Sequence, residues 1–184
     1  MNYKDQLVLT GELDNAGFPI RANVGKSYRT GVELSALIRF SDRWSWNVNA
    51  TGSVNKNQDF VVLENNLPVT RNTNIILSPN IVGSSQLTYS FRRHFQATWL
   101  SKFVGKQYLD NTEDESLKLS SYFINDLRMT YHFVPAGMKE IGFSVLVNKV
   151  LDVAYSSNGY SYSGTPYYYP QAGRNLMMMM TLKF

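Results

Sequence analysis

The residues able to do chemistry are few and scattered. The sequence holds two histidines, His94 and His132, and no cysteine. A structural zinc site takes four Cys or His ligands, so this set cannot assemble one. Without cysteine there is no disulfide framework or thiolate centre. One acidic run, Asp110-Asn111-Thr112-Glu113-Asp114-Glu115, offers the oxygen ligands that calcium prefers. Its spacing matches no EF-hand, and a solvated loop is the plain reading. Asp126, Arg128, Thr130 and His132 recur at every second position and would share one face of a strand. A charge ladder that holds strand register explains them better than a nucleophile and base. No GxSxG, GxGxxG or P-loop occurs. The expectation is a protein that is not an enzyme, with no metal and no cofactor. The densest basic run, Arg92-Arg93-His94, reads as a turn, and the formal charge of +4 is otherwise dispersed. Nucleic acid is therefore not an expected partner.

The segment Ala154 to Tyr169 has a different chemistry. Tyr155, Tyr160, Tyr162, Tyr167, Tyr168 and Tyr169 alternate with Ser and Gly. Tyrosine supplies amphipathic contact area at low entropic cost. These six are the candidate contacts for a flat or aromatic ligand, or for stacking on a sugar. The plainer reading is a loop packed on itself.

The elements that would position such a loop are strands. From Trp44 to Val54, Trp44, Trp46, Val48, Ala50 and Val54 occupy one face, and Ser45, Asn47, Asn49, Thr51 and Ser53 the other. Period two argues for strand over helix. Tyr28, Val32, Leu34, Ala36, Ile38 and Phe40 alternate likewise against Arg29, Glu33, Ser35 and Arg39. Later runs set Phe123, Leu127, Met129, Tyr131 and Phe133 against the Asp126 to His132 ladder. Ile141, Phe143, Val145 and Val147 oppose Gly142, Ser144 and Asn148. Eight strands are predicted, at about 2–11, 26–40, 44–56, 81–91, 94–107, 121–133, 140–150 and 173–184. Several reach the roughly 9–11 residues that a tilted strand needs to cross a bilayer. No run approaches the roughly 18 apolar residues of a spanning helix.

Composition agrees with one lipid face and one wet face. Charged residues are 17%, below the roughly 25% usual in soluble domains. Aromatics are 14%, which suits interfacial girdles. Phe40, Trp44, Trp46, Phe91, Phe95 and Phe133 flank short turns, and Tyr28, Tyr108 and Tyr122 flank long loops. Connection lengths also alternate. Ser41-Asp42-Arg43, Arg92-Arg93 and Val134 to Lys139 are short, whereas 12–25, 57–80, 108–120 and 151–172 are long. Outer-membrane barrels sort their connections this way, short periplasmic and long extracellular.

The C-terminal run Arg174 to Phe184 fixes the same polarity. Phe184, Leu182, Met180, Met178 and Leu176 share a face, against Lys183, Thr181 and Asn175. Leu182 and Phe184 are similar to a signal read by the barrel-assembly machinery, by strand addition at an open edge. This puts Phe184 at the periplasmic end. Met1 to Gln6 has no apolar stretch of the signal-peptide kind, so an exported chain would have lost its signal or begun inside a longer protein.

Several stretches resemble the C-terminal barrel of TonB-dependent outer-membrane transporters, especially the Bacteroidota type. They include Tyr3 to Val8 with Thr10-Gly11, Asn23 to Arg29 leading into Gly31 to Leu34, and Gly83 to Tyr89. Ser101 to Thr112, Phe123 to Arg128, Val147 to Asp152, Asn158 to Tyr160 and Tyr169 to Asn175 complete the likeness. The family's terminal strand usually has glycine where Met179 stands. The resemblance implies an all-β fold, an antiparallel up-and-down transmembrane barrel segment of about eight strands within a barrel of about 22. Residues 1–184 would be its C-terminal part, with the plug domain and TonB box absent. It further implies TonB-dependent import of a scarce ligand, a ferric siderophore or similar iron complex, across the Gram-negative outer membrane. Outer-membrane lipid, TonB (through the missing N-terminal region) and the barrel-assembly machinery would be the partners. Two other readings fit the residues: a stand-alone eight-stranded barrel acting as adhesin or anchor, and a soluble β-sandwich or ligand-binding barrel.

Overall fold

In hydrocarbon a strand must give its N–H and C=O groups to neighbouring strands, because no water is there to take them. The structure, a computed structural model, meets that demand with a long antiparallel meander. It describes residues 1–64, 67–91 and 94–184; for Gly11, Glu12, Leu63 and Glu64 only the backbone is considered. Arg92 and Arg93, read above as a basic turn, lie outside the described residues.

The strands are β1 (Asn2–Leu13), β2 (Pro19–Arg39), β3 (Trp44–Glu64), β4 (Leu67–Asn74), β5 (Ile81–Phe91) and β6 (Phe95–Val104). They continue as β7 (Gln107–Tyr108), β8 (Lys118–Leu119), β9 (Tyr122–Phe133), β10 (Glu140–Asn148), β11 (Ser156–Tyr162), β12 (Thr165–Pro170) and β13 (Asn175–Lys183). The main sheet runs β1-β2-β3-β5-β6-β9-β10-β13, with β4 added beside β3. β7 pairs β8 and β11 pairs β12 as separate small sheets. The path is open, since β1 and β13 end it without pairing each other. An open arc differs from the closed eight-stranded barrel of the stand-alone reading.

The register carries the alternation across the whole sheet. One row of paired residues reads Ile38, Trp46, Leu87, Trp99, Leu127, Val147 and Leu176. The next reads Trp44, Tyr89, Ala97, Met129, Val145 and Met178, and a third Phe91, Phe95, Tyr131, Phe143 and Met180. The opposite face reads Thr88, Thr98, Arg128, Leu146 and Met177, then Ser90, Gln96, Thr130, Ser144 and Met179. The first set is the apolar outer face. Met178 is 74% exposed and Phe143 45%, as lipid-facing side chains are when only protein is counted. Several polar atoms on this face are bonded locally, whereas the buried Asn125 Nδ2 has no partner. Trp46 Nε1 donates to Ser85 Oγ at 2.8 Å, and both Trp99 Nε1 and Ser101 Oγ donate to Asn125 Oδ1, at 3.2 and 2.7 Å.

Two glycines sit where the strands leave no room. A Cβ at Gly31 would lie 2.5 Å from the Gly52 carbonyl oxygen. A Cβ at Gly142 would lie 3.0 Å from His132 Nδ1, so this glycine leaves room for the His132 ring beside β10.

The strands predicted from alternation are present, but two run on well past their expected ends. β2 begins at Pro19 rather than 26, and β3 continues to Glu64 rather than 56. Three of the long connections, expected as loops, contain paired strand of their own: β4, the β7–β8 pair and the β11–β12 hairpin. Outside the membrane a strand can bury polar side chains against other connections, so runs such as Asn55-Lys56-Asn57-Gln58-Asp59 form strand without apolar alternation, with Asn55 and Asn57 buried. The aromatic girdle also needs revision at the long-loop end. Tyr108 and Tyr122 are only 9% exposed, so they are packing residues there and not interfacial ones.

The two faces make a direct prediction. In the assembled barrel, Val145→Arg, on the outer face near the middle of β10, should cost about 2–4 kcal/mol. Ser144→Arg, one residue away and facing inward, should cost less than about 1 kcal/mol. Urea titration in lipid vesicles reads both, and equal costs would mean that the face assignment is wrong.

Candidate functional site

The short turns leave one end of the sheet bare, and the other end is built up by the long connections. Segment 105–121 is its centrepiece. The β7–β8 pair closes the segment, helped by the Leu109 amide donating to the Leu117 carbonyl at 2.8 Å. Leu109 is fully buried, with Leu117 and Leu119 beside it and Leu77 packed against them. Burying three leucines contributes several kcal/mol at about 25 cal/mol per Å². This short segment therefore has a core of its own.

Its polar residues reach across to other connections. Asn111, 2% exposed, donates from Nδ2 to the Leu9 carbonyl of β1 at 2.7 Å. Its Oδ1 accepts from Asn57 Nδ2 of β3 and from the Ile76 amide, each at 3.1 Å. One side chain thus joins three separate pieces of chain. Glu113 accepts from Lys56 Nζ at 2.7 Å and from the Asn74 amide at 2.5 Å. Arg71 Nη2 donates to the Thr112 carbonyl at 2.8 Å. The acidic run, expected as a solvated loop, is instead a strut. Its carboxylates are held by cations and amides of this chain, and Asp110 is bonded to Thr112.

Asp114 and Glu115 are the exposed members, and the carboxylate of Glu115 carries the more bonds of the two. It accepts from Lys106 at 2.6 Å, Lys118 at 2.5 Å and the Tyr108 hydroxyl at 2.6 Å. Those bonds, that of Lys106 first, hold its pKa down at about 2 and raise that of Lys106. Ser116 lowers that of Asp114 through a side-chain and a backbone bond.

The tyrosine segment is the β11–β12 hairpin. Ser163 and Gly164 turn it with positive φ of 48° and 73°, the geometry a two-residue hairpin loop requires. The register pairs Tyr160 with Tyr167, Asn158 with Tyr169 and Tyr162 with Thr165. Tyr160, Tyr162, Tyr167 and Tyr169 therefore share one face. Tyr160 stacks on Tyr167 at 5.1 Å between ring centroids and lies 5.8 Å from Tyr169. The other face, with Gly159, Ser161 and Tyr168, lies on the strut. Tyr168 donates its hydroxyl to the Lys118 carbonyl at 3.2 Å. A Cβ at Gly159 would lie 2.5 Å from the Tyr167 carbonyl oxygen and 3.1 Å from Leu109, so only glycine permits this approach. Tyr155 stands apart. It packs on Tyr122 at 4.2 Å with Lys149 Nζ over its ring at 4.8 Å, and burial raises its pKa. Four of the six predicted tyrosines share this face, whereas Tyr155 packs on Tyr122 and Tyr168 lies exposed on the opposite face with its hydroxyl on the Lys118 carbonyl.

The profile of the family described as TonB dependent receptor-like, beta-barrel matches residues 1–148. The chain belongs to the TonB-dependent receptor-like β-barrel family. It is accordingly an outer-membrane protein of the Gram-negative type, from a family of transporters and not of enzymes. Similar solved structures include the ferric yersiniabactin uptake receptor FyuA from Yersinia pestis, 21% identical with a TM-score of 0.73, covering 100% of this chain and 26% of that one. The siderophore receptor PiuA from Acinetobacter baumannii is 17% identical with a TM-score of 0.69, over 99% and 24% of the two chains. The copper transporter OprC is 16% identical with a TM-score of 0.68, over 100% and 26%. No curated protein sequence matches significantly. The chain thus spans about a quarter of the length of these receptors, and at such identities the likeness is one of fold.

Sequence reasoning missed the strut. Asn111 is held by residues 35 to 102 positions away, which no local pattern reports. Asn111→Ala should leave the Ile76 amide and the Leu9 carbonyl without partners, at about 3 kcal/mol. Amide hydrogen exchange at Ile76 should then quicken roughly 100-fold, and unchanged protection would deny Asn111 this role. The same exchange series has a pH arm. Because the pKa of Glu115 is depressed in the folded state, its contribution is full above the unfolded value near 4.5 and is lost as pH falls toward 2. Protection at Leu109 should therefore hold down to about pH 4.5 and decline below it.

Proposed function

We propose that this chain is part of the barrel wall of an energised outer-membrane importer. Residues 1–184 would form the C-terminal part of its barrel, and the rest of the parent protein would supply the plug and the TonB-contacting segment. Import would proceed by capture of ligand at the extracellular mouth, followed by plug rearrangement driven by TonB. The observation that supports this reading best is the tyrosine face of the β11–β12 hairpin, held at the long-loop end by a buried strut. Family membership and the continuous apolar outer face point the same way.

The ligand in this reading is a ferric siderophore or similar iron complex, met by Tyr160, Tyr162, Tyr167 and Tyr169. Tyr155 and Tyr168 would support them. The apolar end of β13, Leu182 and Phe184, would be read by the barrel-assembly machinery at the open edge of the sheet. The Bacteroidota type of receptor is proposed from the sequence stretches alone.

In the parent receptor, changing the four tyrosines of this face to alanine should raise the half-saturating concentration for uptake on the order of tenfold or more, at about 0.5–1.5 kcal/mol for each aromatic contact. Outer-membrane abundance should not change. Radiolabelled uptake under iron limitation measures it. Unaltered uptake would remove the hairpin from ligand capture.

A further inference from the structure

Beneath the tyrosine face lies a cavity that sequence reading gave no sign of. Its volume is about 200 Å³. Leu9, Leu13 and Pro19 of the outer β1–β2 hairpin form one wall, Ile76 and Leu77 the floor, and Tyr160 the facing wall. None of the described residues that line it carries a charge. Its walls come from three connections far apart in sequence, and each is held by other parts of the chain. Asn111 ties the Leu9 carbonyl to the Ile76 amide, Leu77 packs on the Leu109 core, and Tyr160 is clamped between Tyr167 and Tyr169. The cavity is thus preorganised.

We infer that this cavity is a subsite for one uncharged aromatic ring of the ligand. Size is the first argument. An apolar cavity of about 150 Å³ stays dry and takes benzene, so about 200 Å³ takes a ring with one small substituent. Charge is the second. Most of the cations near the strut are already engaged by the chain, and Arg21, which pairs with Leu9 across β1 and β2, lines no part of the cavity. Lys56 is on Glu113, Lys106 and Lys118 are on Glu115, and Arg29 is on Asn55 and Ser78. Lys149 donates to the Ala172 carbonyl. An anionic ring entering the apolar cavity would lose its hydration and find no counter-ion there. A neutral ring loses little and gains apolar contact with Leu9, Leu13 and Ile76 and an aromatic neighbour in Tyr160. The polar tip of Asn158, at the edge of the cavity, suits a ring bearing one hydroxyl.

The assignment of the ring to an imported ligand rests on the import reading, but the subsite is tested without it. The probes are 4-fluorophenol and 4-fluorobenzoate, followed by fluorine NMR on the parent receptor in nanodiscs. Saturable 4-fluorophenol binding is expected in the wild type, with 4-fluorobenzoate at least tenfold weaker. Leu13→Trp, which fills the cavity from an outer wall, should weaken 4-fluorophenol at least tenfold, and Val134→Trp, on the short-turn end of the sheet, should retain it. If Leu13→Trp does not assemble, Leu9→Phe is read in its place. No saturable binding, equal binding of both probes, or indifference to the filling variant would each overturn the subsite. Uptake is scored separately. Loss of TonB-dependent import with ring binding intact counts against the import reading alone, whereas import without saturable ring binding counts against the subsite alone.

Discussion

A strand that crosses hydrocarbon has nowhere to place its backbone polar groups except on its neighbours. Most of this molecule follows from that constraint. It demands strands long enough to cross, paired without interruption along the sheet, and an outer face that is apolar along its paired rows. The rows from Ile38 to Leu176 and from Trp44 to Val145 show the result. Each residue's neighbours on either side belong to the same chemical class. A slip of one residue in any pair would turn one strand's apolar set toward the lumen and its polar set toward lipid.

Above the bilayer the constraint lapses and another takes over. Water can solvate both faces of a strand there, so apolar alternation no longer specifies which pieces meet. Specification passes to a polar network around Asn111 and Glu113 and to the small core around Leu109. The transition falls near Tyr108 and Tyr122, which are buried under the strut. The tyrosine hairpin rests on this second regime, because Gly159 and Tyr168 lie against residues of the strut. A ligand-facing surface that is rigid in this way binds with less ordering cost than a free loop would.

The division explains what could be read from the sequence. The membrane strands were legible because lipid on one side and water on the other impose period two. Trp44 to Val54 and Ile141 to Val147 show it residue by residue. The inward placing of Met177 and Met179 followed from counting back from Phe184, and the β10–β13 register places them so. β4 and the outward extensions of β2 and β3 were not legible, because nothing there alternates. The six tyrosines could be found by composition, but only the pairing of Tyr160 with Tyr167 separates the four that share a face from Tyr155 and Tyr168. Asn111 was visible only as part of an acidic run, since its partners lie on β1, β3 and the β4–β5 connection.

The central claim is that one face of this sheet lies in lipid and the other does not. Nitroxide labels placed singly along β9, from Phe123 to Phe133, test it in the assembled barrel in lipid bilayers. Oxygen accessibility should rise and fall with period two, with maxima at Phe123, Leu127, Met129 and Tyr131. Accessibility to a water-soluble nickel chelate should be lowest at those same positions. Uniform access of the nickel chelate along β9, or oxygen maxima at Asp126, Arg128 and Thr130, would contradict the account.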